Sequence, residues 1–269
     1  PTPRRIDVGG VRGPGGGTVS ELLAPAKLTW FLEVTRRRDD GFHELRSEMV
    51  TLDFTDRLDV DESGDYLRLE GPFSAVPLDE HNLVTRALNL VERRCGVTLH
   101  KVIPPGGGLG GGSADAAAIL RWAGGVSAEE ALSLGGDVPF CQSGGRALVE
   151  GVGERLTTLP YERREVTLVL LGFGVNTRQC YEAYDELVNV GEKPDGRNHL
   201  EAAARLVEPR LGETMDWLGA TLGNRVHLAG SGSTLFIEGH LEHGVETWDA
   251  LGPEGVVQFR QTITTPTGA

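Results

Sequence analysis

Between Pro104 and Ala117 the chain reads Pro-Pro-Gly-Gly-Gly-Leu-Gly-Gly-Gly-Ser-Ala-Asp-Ala-Ala, and this run limits the possible folds more than any other. Successive glycines admit positive φ and let a bulky anion reach backbone N–H groups without Cβ clashes. From Ser113 onward the composition is that of a helix start, which turns unpaired N–H groups and the positive end of the helix dipole toward the loop. Such an arrangement is a phosphate cradle. The run lacks the Gly-Lys-Ser/Thr ending of a Walker loop, and its glycines are more crowded than those of the dinucleotide fingerprint. A flexible linker is the other reading of a glycine run. Alternating Val97, Leu99, Lys101 and Ile103 before it, and an alanine-rich helix after it, place this one between regular elements.

With 269 residues the chain can bury a sizeable core and form two domains. It contains no apolar run long enough to span a bilayer and no basic-then-apolar leader, which is read as a cytoplasmic location. Cys95, Cys141 and Cys180 are odd in number and far apart, a pattern of reduced thiols. A formal net charge of −13 argues against nucleic acid and anionic membranes as partners, since both need a basic surface. An anionic small molecule would have to be met by local positive groups. Lysine is scarce: Lys27, in Ala-Pro-Ala-Lys-Leu-Thr-Trp, and Lys101, just before the glycine loop, leave only Lys193 besides. Their placement is either functional or a coincidence of composition.

Taken in order, residues 1–17 are rich in Pro, Gly and Arg and are expected to form a mobile tail. Residues 22–34 alternate as a strand that carries Lys27 near its start, and 49–54, 57–60 and 66–69 are expected to be further strands. In Asp40-Gly41-Phe42-His43 the histidine is either a ligand contact or plain packing. Asn82 to Cys95 has a helical apolar face, and Ser127 to Glu130 is a capping box. Asp137 follows two glycines, where a carboxylate either caps a turn or points into a cleft. Residues 146–150 and 155–159 form a hairpin, and 160–164 a junction between domains. Beyond it come a strand over 166–171, a helix capped by Thr177, helices over 198–207 and 211–222, and a second glycine-serine turn, Gly230-Ser-Gly-Ser-Thr234. A helix near 240–251, a strand over 256–263 and a tail over 264–269 complete the expected order. His240 and His243 lack further ligands for a metal.

Ala24-Pro-Ala-Lys-Leu28, Pro104 to Ala117 and Leu228-Ala-Gly-Ser-Gly-Ser-Thr234, in that order and spacing, resemble the motifs of the GHMP kinase superfamily. Asp40 to Leu45, Asn82 to Ala87, Gly136 to Phe140 and Asn198 to Glu201 are similar to the branch that phosphorylates the 2-hydroxyl of a cytidine diphosphate sugar alcohol. The resemblance implies an α/β (α+β) two-domain fold. In it a ribosomal-protein-S5-domain-2-like ATP domain over 18–159 is followed by a ferredoxin-like α/β domain over 160–269, whose last strand can return to the first domain. It also implies a monomer or weak homodimer acting on ATP and a small-molecule acceptor.

By the same resemblance Asp137 is the base for the acceptor hydroxyl and Lys27 its charge-stabilising partner. Pro104, Gly106, Gly107, Gly108, Leu109, Gly110, Gly111, Gly112 and Ser113 hold ATP, with Ser113 near Mg²⁺, and Lys101 contacts the adenosine. His43 reads the cytosine edge, Phe42 and Tyr181 sandwich the base, and Thr29, Gly230, Ser231 and Gly232 complete the acceptor site. Asp115 is a structural residue of the first helical turn. Thr29 departs from the asparagine usual in the family, and the connection from Ala118 to Leu134 is shorter than usual. A homoserine- or mevalonate-type kinase is a rival that has no cytosine for His43 and Tyr181 to meet. A non-catalytic nucleotide sensor is a second rival, opposed by the presence of both Lys27 and Asp137.

Overall fold

A computed structural model describes residues 11–12, 18–73 and 76–267, so most of the stretch expected to be a tail lies outside the described residues. The exception is β1 (Val11–Arg12), which pairs with Thr18 and Val19. Two long strands, β2 (Thr18–Arg37) and β3 (His43–Asp61), form an antiparallel ribbon in which Lys27 lies opposite Thr51. β4 (Tyr66–Glu70), α1 (Leu83–Leu90) and β5 (Gly96–His100) lead to the glycine loop. α2 (Gly111–Trp122), α3 (Ala128–Leu132), α4 (Val138–Ser143) and the hairpin β6 (Arg146–Gly151) and β7 (Arg155–Thr158) follow. The rest comprises β8 (Glu165–Leu170), α5 (Thr177–Asn189), α6 (Glu201–Val207), α7 (Pro209–Leu222), β9 (Val226–Leu228), β10 (Leu235–Glu238), β11 (Thr247–Gly252) and β12 (Gly255–Thr265).

β3 is the spine of this α/β fold. One edge carries β2 throughout, and the other is shared by β6 at Leu45–Val50, β12 at Thr51–Leu52 and β5 at Arg57–Asp61. The sequence reads as two strands here, 49–54 and 57–60, because Asp56 interrupts the apolar alternation, although the backbone stays extended. From β12 the sheet continues through β8 and β10 to β9. The last strand reaches Thr265, and pairing of Thr264 with Leu52 corrects the tail expected from residue 264.

Three apolar clusters hold the layers together. One sits under α1, α2 and α4 and includes Leu58, Val97, Ile119 and Phe140. Another lies between α5 to α7 and the second half of the sheet, with Val169, Leu211, Ile237 and Phe259. The third joins Leu28, Leu52, Leu168 and Phe236 to Leu109 of the first glycine loop and Ala229 at the entry to the second. Both loops are thus seated on one patch of fully buried side chains.

Two local expectations change. The helix near 240–251 is strand β11 and its approach: Gly239 and Gly244 have positive φ, and Trp248 and Ala250 alternate inward, with Trp248 stacked on Phe259 at 5.2 Å. Helix α5 is capped by Asn176, whose side chain accepts from the Gln179 N–H, rather than by Thr177. The Ser127–Glu130 capping box is present. Cys95, Cys141 and Cys180 are free and buried, and burial pushes the Cys141 and Cys180 thiols up to about 12, which removes them as nucleophiles. Among the described residues no helix is long and apolar enough to cross a membrane.

Candidate active site

The glycine loop is pinned by what little of it is apolar. Ile103 and Leu109 are fully buried, and the Leu109 carbonyl accepts from the Lys27 N–H at 3.0 Å, tying the loop to β2. Gly110 caps α2 in a left-handed conformation without a side-chain hydrogen bond, and the first intrahelical bond is donated by Ala114 to Gly110. The N–H groups of Gly111, Gly112 and Ser113 therefore head the helix without a side-chain cap, which suits an anion. The helix starts two residues before Ser113, so that Ser113 stands in its first turn.

The second glycine turn closes on the first. The Thr234 N–H donates to the Gly107 carbonyl at 3.0 Å. A Cβ on Gly108 would run into the Ala229 carbonyl oxygen and stand 3.1 Å from that of Gly232. Asn198, buried behind, donates from Nδ2 to the carbonyls of Leu228 and Gly230 at 3.0 and 2.7 Å. Ser231 shares a 2.9 Å hydrogen bond with Thr177 at the start of α5. The second turn thus packs against the first glycine loop through Ala229, Gly232 and Thr234, while Ser231 ties it to α5.

Lys27 and Asp137 meet beside this cradle, Nζ to Oδ2 at 3.3 Å. Asp137 precedes α4 but makes no side-chain capping bond, so the capping alternative is set aside and its carboxylate is left for the cleft. Lys27 is almost wholly buried while the Asp137 side chain keeps 34% of its exposure, which puts the cation inside and the carboxylate at the mouth. Thr29, expected as an acceptor contact, is buried, and its hydroxyl accepts from Lys27 Nζ at 3.1 Å, which steadies the lysine.

Lys101, expected to contact the adenosine, is turned inward. Its ammonium is buried between Asp56 and Asp115, bonded to Asp56 Oδ2 and, at 2.8 Å, to Asp115 Oδ2, and has no open face for a nucleotide. Asp56 also accepts from the N–H groups of Val102 and Ile103 at 2.6 and 2.9 Å, so the triad fixes the chain entering the glycine loop to the helix leaving it. Burial would depress the Lys101 ammonium, but the two carboxylates outweigh it and its pKa is raised. Burial pushes the Asp115 carboxyl up to about 7 against the pull of Lys101, with the charge of Asp56 pushing the same way. From the ordinary value of 3.8 up to about 7, the folded chain then keeps a proton that the unfolded chain has released, so stability falls as pH rises through that window. Asp115→Asn is expected to flatten that fall, read as the urea midpoint against pH. An unaltered slope would mean that Asp115 does not titrate there.

One cavity of about 1140 Å³ is lined by Ser113, Asp137, Phe42, His43 and Tyr181 together. The His43 ring stacks on Tyr181 with centroids 4.8 Å apart, while Phe42 is 65% exposed at the rim. The structure therefore brings His43 and Tyr181 together, with Phe42 apart from them. Asp185, 2.7 Å from His43, and the cavity-lining Arg37, Arg38 and Arg178 were not anticipated from sequence. On an amphipathic helix a charged residue such as Asp185 looks like part of a solvated face. For Asp56 a signal did exist: it breaks the inward apolar register Phe54, Leu58, Val60 of β3.

A double glycine cradle with a lysine–aspartate pair at its mouth, on a sheet of this order, defines a small-molecule kinase of the GHMP class. The sequence profile of the GHMP kinases N terminal domain matches residues 82–145. A 4-diphosphocytidyl-2-C-methyl-D-erythritol kinase of Polaromonas sp. (strain JS666 / ATCC BAA-500) is 34% identical over 288 residues, covering 90% of each chain. That of Paracoccus denitrificans (strain Pd 1222) is 36% identical over 231 residues, 79% of this chain and 84% of the relative. A crystal structure of 4-(cytidine 5'-diphospho)-2C-methyl-D-erythritol kinase superposes with a TM-score of 0.65 at 32% identity, over 91% of this chain and 100% of that one. The chain belongs to the 4-diphosphocytidyl-2-C-methyl-D-erythritol kinase family. The mevalonate kinase of Methanococcus jannaschii, at 14% identity and a TM-score of 0.54, shares the fold.

Proposed function

We propose that this chain transfers the γ-phosphoryl group of ATP to the 2-hydroxyl of 4-diphosphocytidyl-2-C-methyl-D-erythritol. The observation that carries the reading is one cavity whose wall holds both the Asp137 carboxylate, paired with Lys27, and the stacked His43 and Tyr181. An acceptor that carries a base and an alcohol on one molecule is held by such a wall.

The acceptor hydroxyl is a tertiary alcohol and too weak an acid to be deprotonated in advance, so Asp137 takes its proton as the oxygen attacks. Lys27 lies next to both the alkoxide that forms and the phosphoryl group that moves, where a buried cation acts at short range. The N–H groups heading α2 and the two glycine turns hold the phosphates in line, and positioning supplies much of the rate. Ser113, on the cavity wall in the first turn of α2, fits a role near Mg²⁺: a hydroxyl is a hard-oxygen donor, and such an ion takes one or two protein oxygens and completes its shell from phosphates and water. Bound there, Mg²⁺ would neutralise phosphate charge.

ADP release measured in parallel with 4-diphosphocytidyl-2-C-methyl-D-erythritol, homoserine and mevalonate tests the reading. Turnover confined to the cytidine acceptor is expected. Turnover with homoserine or mevalonate instead, or ATP binding without any turnover, would contradict it.

A further inference from the structure

The first residue of β3, His43, is tied to α5 by a contact that the proposed chemistry does not use. Its Nε2 stands 2.7 Å from Asp185 Oδ1, and Arg37 Nε stands 3.3 Å from Oδ2 of the same carboxylate. Tyr181 covers one face of the imidazole, and Tyr184 meets it edge-on at 6.0 Å. The His43 side chain keeps only 9% of its exposure and that of Asp185 20%, so the pair is shielded from most competing water. A carboxylate only accepts, so Nε2 must carry the hydrogen. In the neutral imidazole the lone pair is then at Nδ1. Among the described residues no group bonds to Nδ1, and His43 lines the cavity.

We infer that Asp185 is a positioning residue that fixes the Nε2–H tautomer of His43 and so makes the acceptor site choose cytosine over uracil. This rests on the proposed reading that His43 faces the acceptor base. Cytosine presents an exocyclic amine where uracil presents a carbonyl oxygen. A fixed lone pair accepts from the first and repels the second, whereas an imidazole free to exchange tautomers could serve either. Arg37 fixes the other oxygen of Asp185, which keeps the carboxylate from turning away. Discrimination therefore depends on a charged residue that itself needs no contact with the base.

The test compares wild type, Asp185→Asn, Asp185→Glu and His43→Ala on the cytidine diphosphate acceptor and its uridine analogue, with ¹⁵N NMR of the His43 ring. In wild type the ring is expected to show hydrogen on Nε2 and a lone pair on Nδ1. An asparagine can both donate and accept, so Asp185→Asn should mix the tautomers, raise KM for the cytidine acceptor about tenfold with kcat little changed, and cut the cytosine preference by a similar factor. Asp185→Glu should restore part of that preference. A mere helix-to-strand clamp would lower stability and leave preference and tautomer alone, and that result overturns the inference. So does an Nδ1–H tautomer in wild type, which needs no variant to be seen. An unchanged KM in His43→Ala would remove the base-reading role itself, whereas a raised KM there with an unaltered preference in Asp185→Asn would remove only the role of Asp185.

Discussion

Asp137→Asn is expected to lower kcat by about 10²- to 10⁴-fold while ATP binding stays nearly intact, because general-base catalysis contributes on that scale and the phosphate cradle is made of other residues. The amide matches the carboxylate in shape but cannot take the proton, and Lys27 loses its anionic partner while keeping its bond to Thr29. Single-turnover kinetics with an ATP titration separate the two effects. A variant that kept wild-type kcat would show that the proton leaves by another route. Loss of ATP binding would show that the ion pair chiefly shapes the cradle.

Gly108→Ala is expected to damage ATP affinity and stability together, by at least about tenfold in the ATP dissociation constant. Gly108 sits at φ +79° where a side chain is strained, which costs about 1–2 kcal/mol. Its Cβ would also push against the Ala229 carbonyl, and overpacking of this kind costs about 1–3 kcal/mol more. Only separation of the two glycine turns relieves the contact. Gly106→Ala is the control: its φ of +71° carries similar strain, but nothing lies within 4 Å of its Cβ, so its unfolding midpoint should fall less. Equal midpoints for the two variants would show that the turns are not locked together.

Much of this site was legible in the sequence because its chemistry lies in contiguous motifs. The glycine run, Lys27 within an alternating strand pattern and Asp137 after two glycines each announce a local backbone requirement, and the third apolar cluster brings the two glycine turns together. What was not legible depends on partners distant in the chain. Lys101 is adjacent to the loop, and no local pattern shows that its ammonium pairs with Asp56, 45 residues earlier. Asp185 lies 142 residues from His43, and no local pattern joins them. The stretch 240–251 reads as a helix because Leu241, Val245 and Trp248 stand at helical spacing, while Trp248 and Ala250 stand at strand spacing, and only pairing with β12 decides between the periods.

The most direct measurement of the proposed reaction is proton-coupled ³¹P NMR of the product formed from ATP and 4-diphosphocytidyl-2-C-methyl-D-erythritol. A phosphomonoester on the tertiary 2-carbon has no proton on the attached carbon, so its new resonance should be an uncoupled singlet that grows as the γ-phosphate signal disappears. A new resonance split by carbinol protons, placing the phosphate on a primary or secondary hydroxyl, would contradict the geometry assigned to Asp137, and no new resonance at all would contradict the transfer itself.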